Sequence, residues 1–154
     1  VEHCAAPLFV DPVSTVKAEK LRGLLGHVHT LKPNRIEAEL LSGVKITDNA
    51  TLHQAAQALL DQGVQRVFLS LGGDGVFAVQ QGETHLESIC KAEMRNATGA
   101  GDAMMASLVW SFLAGRDLAE SCAAGTAAAA IAVESEETIN PSMSAEAVLA
   151  RAAK

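Results

Sequence analysis

The sequence predicts an α/β protein: a parallel sheet with helices on both faces and an antiparallel hairpin added at one edge. Three observations carry that prediction. Short apolar runs bounded by turn residues, at 8–10, 28–31 and 67–71, alternate with stretches whose apolar residues recur at helical spacing. The 154 residues are 49% hydrophobic and 3% aromatic with no low-complexity tract, and a single domain of this length buries roughly 70% of its unfolded surface. Finally, three turn segments rich in small and polar residues fall just beyond strands, where ligands of such sheets bind.

Residues 8–10, followed by Asp11-Pro12, read as a strand closed by a turn, because proline cannot continue a central ladder. Ser14 caps the next helix, whose apolar positions Val16, Leu21, Leu24 and Leu25 run on to Gly26. Residues 28–31 form a second strand, ending before Pro33. Asn34 opens a helix with Ile36, Leu40 and Leu41 as its apolar face and Gly43 at its end. Leu52, Ala55, Ala56, Leu59 and Leu60 then make an amphipathic stripe ending at Gly63. Residues 67–71 are a continuous apolar strand, GGDG turns the chain into 76–79, and 84–89 return as the second arm of a hairpin. The remainder is helical: 103–114, 118–133, and 145–152 behind the cap Ser144.

A formal charge of −6, without a Lys/Arg cluster, argues against nucleic acid or an anionic membrane as the main partner. No apolar run is long enough to span a bilayer as a helix. Cys4, Cys90 and Cys122 are odd in number and lack Cys-x-x-Cys spacing, which fits reduced, core-filling thiols in a cytoplasmic protein. Several motif matches carry no weight. Gly73, Gly75 and Ala78 have dinucleotide-fingerprint spacing but lead into a strand, where that fingerprint needs a helix. No Walker loop or nucleophile elbow is present, and His27 and His29 lack a third ligand at a characteristic spacing. The chain starts at Val1, without methionine, in the approach to a strand, and this predicts a fragment or processed piece.

The three turn segments each have a chemical and a structural reading. In KPNRIE, Asn34 and Glu37 are three apart at a helix start; they suit water-bridged Mg²⁺ and phosphate, or an N-cap with an acidic N3 residue. In SLGGDG the glycines admit a nucleotide closely, or simply make a tight hairpin. In NATGAGD, Gly99 and Gly101 free the backbone so that N–H groups converge on one anion at a helix start, beside the carboxylate of Asp102. The alternative is a plain capped turn. The three segments are expected to face one crevice.

In this order, KPNxxE, SLGGDGV and TGAGD followed by a small-residue helix, the chain resembles the carboxy-terminal half of the ribokinase or PfkB family of sugar kinases. The likeness runs from FVDP at Phe9 to NPS at Asn140. It implies a ribokinase-like three-layer α/β/α fold, with residues 1–154 supplying the carboxy-terminal part of the central sheet and its flanking helices. The segments HTLKPNRIEAELLSG, SLGGDGV and NATGAGDAMMA resemble bacterial pseudouridine kinases within the family, which implies ATP-dependent transfer to the 5′-hydroxyl of pseudouridine. A kinase for another small sugar, such as ribose or fructose, and a non-catalytic nucleotide-binding module are the alternatives.

By resemblance, Asp102 is the base that accepts the sugar hydroxyl proton, and Thr98, Gly99, Ala100 and Gly101 form the anion hole. Ser70, Gly72, Gly73 and Gly75 match the nucleotide-binding strand end and loop. Thr126 lies on the helix beside the adenine, and Asn140 closes that pocket. Asn34 and Glu37 act on Mg²⁺ and phosphate through water, so no direct protein-only metal site is implied. Many relatives carry Asp in place of Asn96, where it helps hold K⁺, so K⁺ dependence is in question. The family's amino-terminal half, which by the same resemblance grips the sugar and carries the lid, is expected to have no counterpart in residues 1–154. The 154-residue chain alone is therefore expected to be inactive, and its open sheet edge to pair with a second copy or with the missing half.

Overall fold

The computed structural model describes residues 4–154. They form two compact units: the chain up to Gly72 together with Phe77–Thr84, and Gly73–Val76 with His85–Lys154.

The first unit is built on the sheet. β1 (Phe9–Val10), β2 (Thr30–Leu31) and β3 (Arg66–Ser70) pair in parallel, in sequence order, with Phe9 opposite Thr30 and Leu31 opposite Val67. β4 (Val76–Gln80) and β5 (Glu83–Glu87) complete a five-stranded sheet in the order β1 to β5. The two residues joining β4 to β5 fit only an antiparallel hairpin, so the sheet is mixed as expected. β3 is buried along nearly its whole length, which explains a run with no polar alternation, while β5 is largely exposed.

Three helices accompany these strands: α1 (Thr15–Glu19), α2 (Arg35–Ser42) and α3 (Asn49–Asp61). The stripe Leu52, Ala55, Ala56 and Leu59 is buried as its spacing requires. Two expectations need correction. The helix read through Leu25 stops at Glu19, and Arg22–His27 continue as a 3₁₀ segment, leaving Val16 and Leu24 exposed. Gly23 and Gly26 in that stretch weaken an α-helix. Gly26 also lies beneath Gly63, where a Cβ would come within 2.7 Å of its Cα. In α2 the buried face is Glu37, Ala38 and Leu41, whereas Ile36 is 64% exposed. The cap at Asn34 fixes the rotation of this eight-residue helix and turns Glu37 inward.

The second unit is helical: α4 (Ala100–Leu113), α5 (Leu118–Val133) and α6 (Ala145–Ala152). α4 begins three residues earlier than its apolar run suggests, and Leu113 at its end is exposed. α5 is buried on almost every side, which its run of Ala, Gly, Ser and Thr permits: Gly125 lies where a Cβ would come within 3.2 Å of Met104. Cys122 is buried as a core filler, Cys90 is half-buried, and Cys4 is exposed, contrary to expectation. Among the described residues no helix is long and apolar enough to cross a membrane.

Candidate active site

In the first unit the chain leaves β2 through Lys32, Pro33 and Asn34. Ser70, at the end of β3, reaches this turn: its N–H donates to the Pro33 carbonyl at 2.9 Å, its hydroxyl donates to the same oxygen at 3.4 Å, and Asn34 and Ser70 form a parallel bridge. The first residue of the SLGGDG segment therefore meets the KPNRIE turn within one unit.

Asn34 and Glu37 make a reciprocal capping box. Asn34 Oδ1 accepts the Glu37 N–H at 2.9 Å, and Glu37 Oε2 accepts the Asn34 N–H at 2.9 Å. The structural reading of this pair is thus realised, yet it leaves something over. Glu37 is only 2% exposed, and its Oε1 is buried with no hydrogen-bond partner. A buried, orphaned carboxylate oxygen is costly, and it fits a hydrated divalent cation. Among the described residues no three His, Cys, Asp or Glu side chains gather closely enough to hold a metal.

Sequence reasoning missed the ion pair beside this turn. Lys32 Nζ lies 2.7 Å from Asp11 Oδ2, with the lysine side chain 7% exposed, joining the carboxyl ends of β1 and β2. The signal was present, an acid and a lysine each just past a strand, but only pairing register connects them. His29 is packed rather than poised for a metal, since it stacks on Phe9 and hydrogen-bonds with Thr30.

Gly72 and Gly73 lie in a one-turn 3₁₀ segment (Gly72–Asp74) and are exposed, with open space where a Cβ would stand. Gly75 differs. Its φ of 98° and the close approach of the Glu87 carbonyl both demand glycine.

The second unit holds the TGAGD turn. Gly99 is the N-cap of α4, with φ 88°, and a Cβ there would lie 2.7 Å from the Thr138 carbonyl oxygen. No side chain caps α4. Each of the other five α-helices among the described residues has a side-chain cap, from Ser14, Asn34, Asp48, Asp117 or Ser144. The first-turn N–H groups of Ala100, Gly101 and Asp102 therefore have no capping side chain to accept them, and they carry the positive end of the helix dipole. Asp102 is exposed in that first turn. Thr98 is engaged otherwise: its N–H donates to Asn96 Oδ1 at 2.9 Å.

Thr126 is buried in α5 and donates its hydroxyl to the Ala123 carbonyl at 3.1 Å. Asn140 is a tie: its Nδ2 donates to the Ile131 carbonyl at 2.6 Å and its Oδ1 accepts the Ser142 N–H. It lines a cleft of about 580 Å³ shared with Arg95, Glu134, Arg151 and Lys154. Hydrogen bonding to Arg151 holds the Glu134 carboxyl below its ordinary range, and Glu134 raises Arg151 in return.

Polar groups at the strand ends of a mixed sheet, and a glycine-led, uncapped helix start beside a carboxylate, are features that phosphate-handling proteins use. The chain belongs to the pfkB family of carbohydrate kinases, whose profile matches residues 2–145. It is 42% identical over 139 residues to the pseudouridine kinase of Escherichia coli K12, an alignment covering 90% of this chain and 44% of that protein. Its fold is ribokinase-like. A provisionally assigned sugar kinase from Clostridium perfringens superposes with a TM-score of 0.90 at 34% identity, over 96% of this chain and 46% of the other. Arabidopsis thaliana ribokinase, solved with ribose and ATP, superposes with a TM-score of 0.80 at 27% identity, over 96% and 47%. The chain thus spans about half the length of these relatives.

Proposed function

We propose that this chain supplies the ATP site and catalytic base of a kinase that phosphorylates a sugar hydroxyl, the 5′-hydroxyl of pseudouridine. The uncapped start of α4 carries the reading. Where every other α-helix of the described residues has a side-chain cap, this one leaves its N–H groups for a ligand, and a phosphoryl group is the ligand they suit.

Phosphoryl transfer asks for position and charge stabilisation more than for covalent chemistry. Gly99, Ala100 and Gly101, with the Thr98 hydroxyl, stabilise the negative charge on the moving phosphoryl group. Asp102 accepts the hydroxyl proton as the sugar oxygen bonds to the γ-phosphorus and the bond to the ADP oxygen breaks. Ser70, Gly72, Gly73 and Gly75 receive the nucleotide, with Thr126 and Asn140 toward the adenine. Asn34 and Glu37 would hold Mg²⁺ through water, which would supply positive charge against the phosphates. Pseudouridine is the favoured acceptor because a named pseudouridine kinase shares 42% identity over most of the chain.

General base catalysis contributes about 10²–10⁴-fold in rate, so Asp102→Asn in the full-length protein is expected to lower kcat by that order while leaving ATP affinity unchanged. A coupled ADP-release assay with pseudouridine, ribose and fructose tests both claims. An Asp102→Asn enzyme as fast as wild type would sink the mechanism, and turnover confined to ribose or fructose would move the acceptor.

A further inference from the structure

Asn96 lies just before the TGAGD turn, and both ends of its side chain are committed. Oδ1 accepts the Thr98 N–H at 2.9 Å, and Nδ2 donates to the Glu136 carbonyl at 3.1 Å. The Thr98 N–H can only donate, so the atom facing it is the amide oxygen and the atom facing Glu136 is the NH₂. The main chain repeats this arrangement. The N–H groups of Arg95 and Asn96 donate to the Val133 carbonyl at 2.8 and 3.2 Å, and Gly99 packs against the Thr138 carbonyl. The carbonyl of Val133, at the end of α5, and those of Glu136 and Thr138 beyond it thus face residues 95–99.

Carbonyl oxygens that face an anion-binding turn suit a monovalent cation, and the family likeness implies K⁺ at this position. The residues present do not fit one. Where a cation would need an oxygen at residue 96, the chain offers Glu136 an N–H donor, whose positive end repels a cation at that distance. We propose that the Asn96 amide stands in place of the cation: an uncharged strap, a positioning residue that fastens the phosphoryl-binding turn to residues 133–138 and makes it independent of K⁺. The inference rests on the reading of residues 98–101 as the anion hole.

The test compares KCl with tetramethylammonium chloride at equal ionic strength, on the full-length protein, reading both turnover and thermal midpoint. Wild type is expected to change by less than about twofold in rate, within the range of general salt effects. Its midpoint should show no K⁺-specific shift. Asn96→Asp sets a carboxylate oxygen against the Glu136 oxygen, an arrangement that needs a cation between them. Its turnover should fall about tenfold or more in tetramethylammonium, as for a disturbed oxyanion donor, and return in K⁺ together with a raised midpoint. Asn96→Ala removes the strap without making a cation site, so K⁺ should not restore it. A wild-type midpoint that climbs specifically with K⁺ overturns the proposal, and so does an Asn96→Asp protein indifferent to K⁺. Absence of turnover in every salt counts against the kinase reading alone, because the midpoints still decide the strap.

Discussion

Val13 is the one non-glycine residue in the described chain with a positive φ, at 65°. The Ser14 N–H donates to the Pro12 carbonyl at 2.7 Å and closes a three-residue turn around it, while the Val13 N–H reaches Asp11 Oδ1 at 3.2 Å. A β-branched side chain in this region is strained, and at 64% exposure little burial offsets the cost. Val13→Gly should therefore raise unfolding stability by about 1 kcal/mol, the left-handed penalty less the extra chain entropy of glycine. Urea denaturation measures it, and a loss of stability would show that the turn is not strained. Nothing in the sequence announces this residue, because valine there reads as an ordinary approach to the cap at Ser14. Glu37 was half legible in the same way. Its spacing from Asn34 gives the capping box, but the burial of its second oxygen depends on what α2 packs against.

At the scale of elements, α5 and α6 were legible at both ends, and α3 at its stripe and its end though not at its start, since Asp48 caps it four residues before Leu52 opens the stripe. The stretch 15–27 was not: two glycines among apolar residues leave α and 3₁₀ conformations close in energy, and packing decides between them. The tie between α5 and α6 was also invisible, since it joins residues seventeen apart. Arg151 donates two parallel hydrogen bonds to Glu134, at 3.0 and 2.9 Å. Because Arg151 lowers the Glu134 pKa in the folded protein, folding binds fewer protons there. The pair's contribution is then complete above the unfolded value of 4.5 and is lost as pH falls through the lowered folded value. As a partly exposed pair it is worth about 0.5–1 kcal/mol at neutral pH. Thermal midpoints of wild type and Arg151→Met should accordingly converge on acidification below about pH 4. A constant gap down to low pH would assign the effect to packing of the arginine stem instead.

For the whole molecule, the family was legible because three short segments occur in a fixed order, a stronger signal than any one of them. Their chemistry was less so, since backbone carbonyls such as those of Glu136 and Thr138 carry no side-chain signature. Among the described residues β1 has β2 as its one strand neighbour, which leaves its outer edge open, and the relatives are about twice as long. Residues 1–154 expressed alone are expected to release no sugar-dependent ADP, while a protein of full family length carrying them turns over. Steady turnover by the short chain would place the sugar pocket within it. The α4 and α5 pair has a consequence for how such a protein changes over generations. With Gly125 already against Met104, a methyl gained on one helix must be matched by volume surrendered on the other. The two helices are therefore free to drift only in step, and the glycine turn that opens α4 inherits its steadiness from that shared confinement.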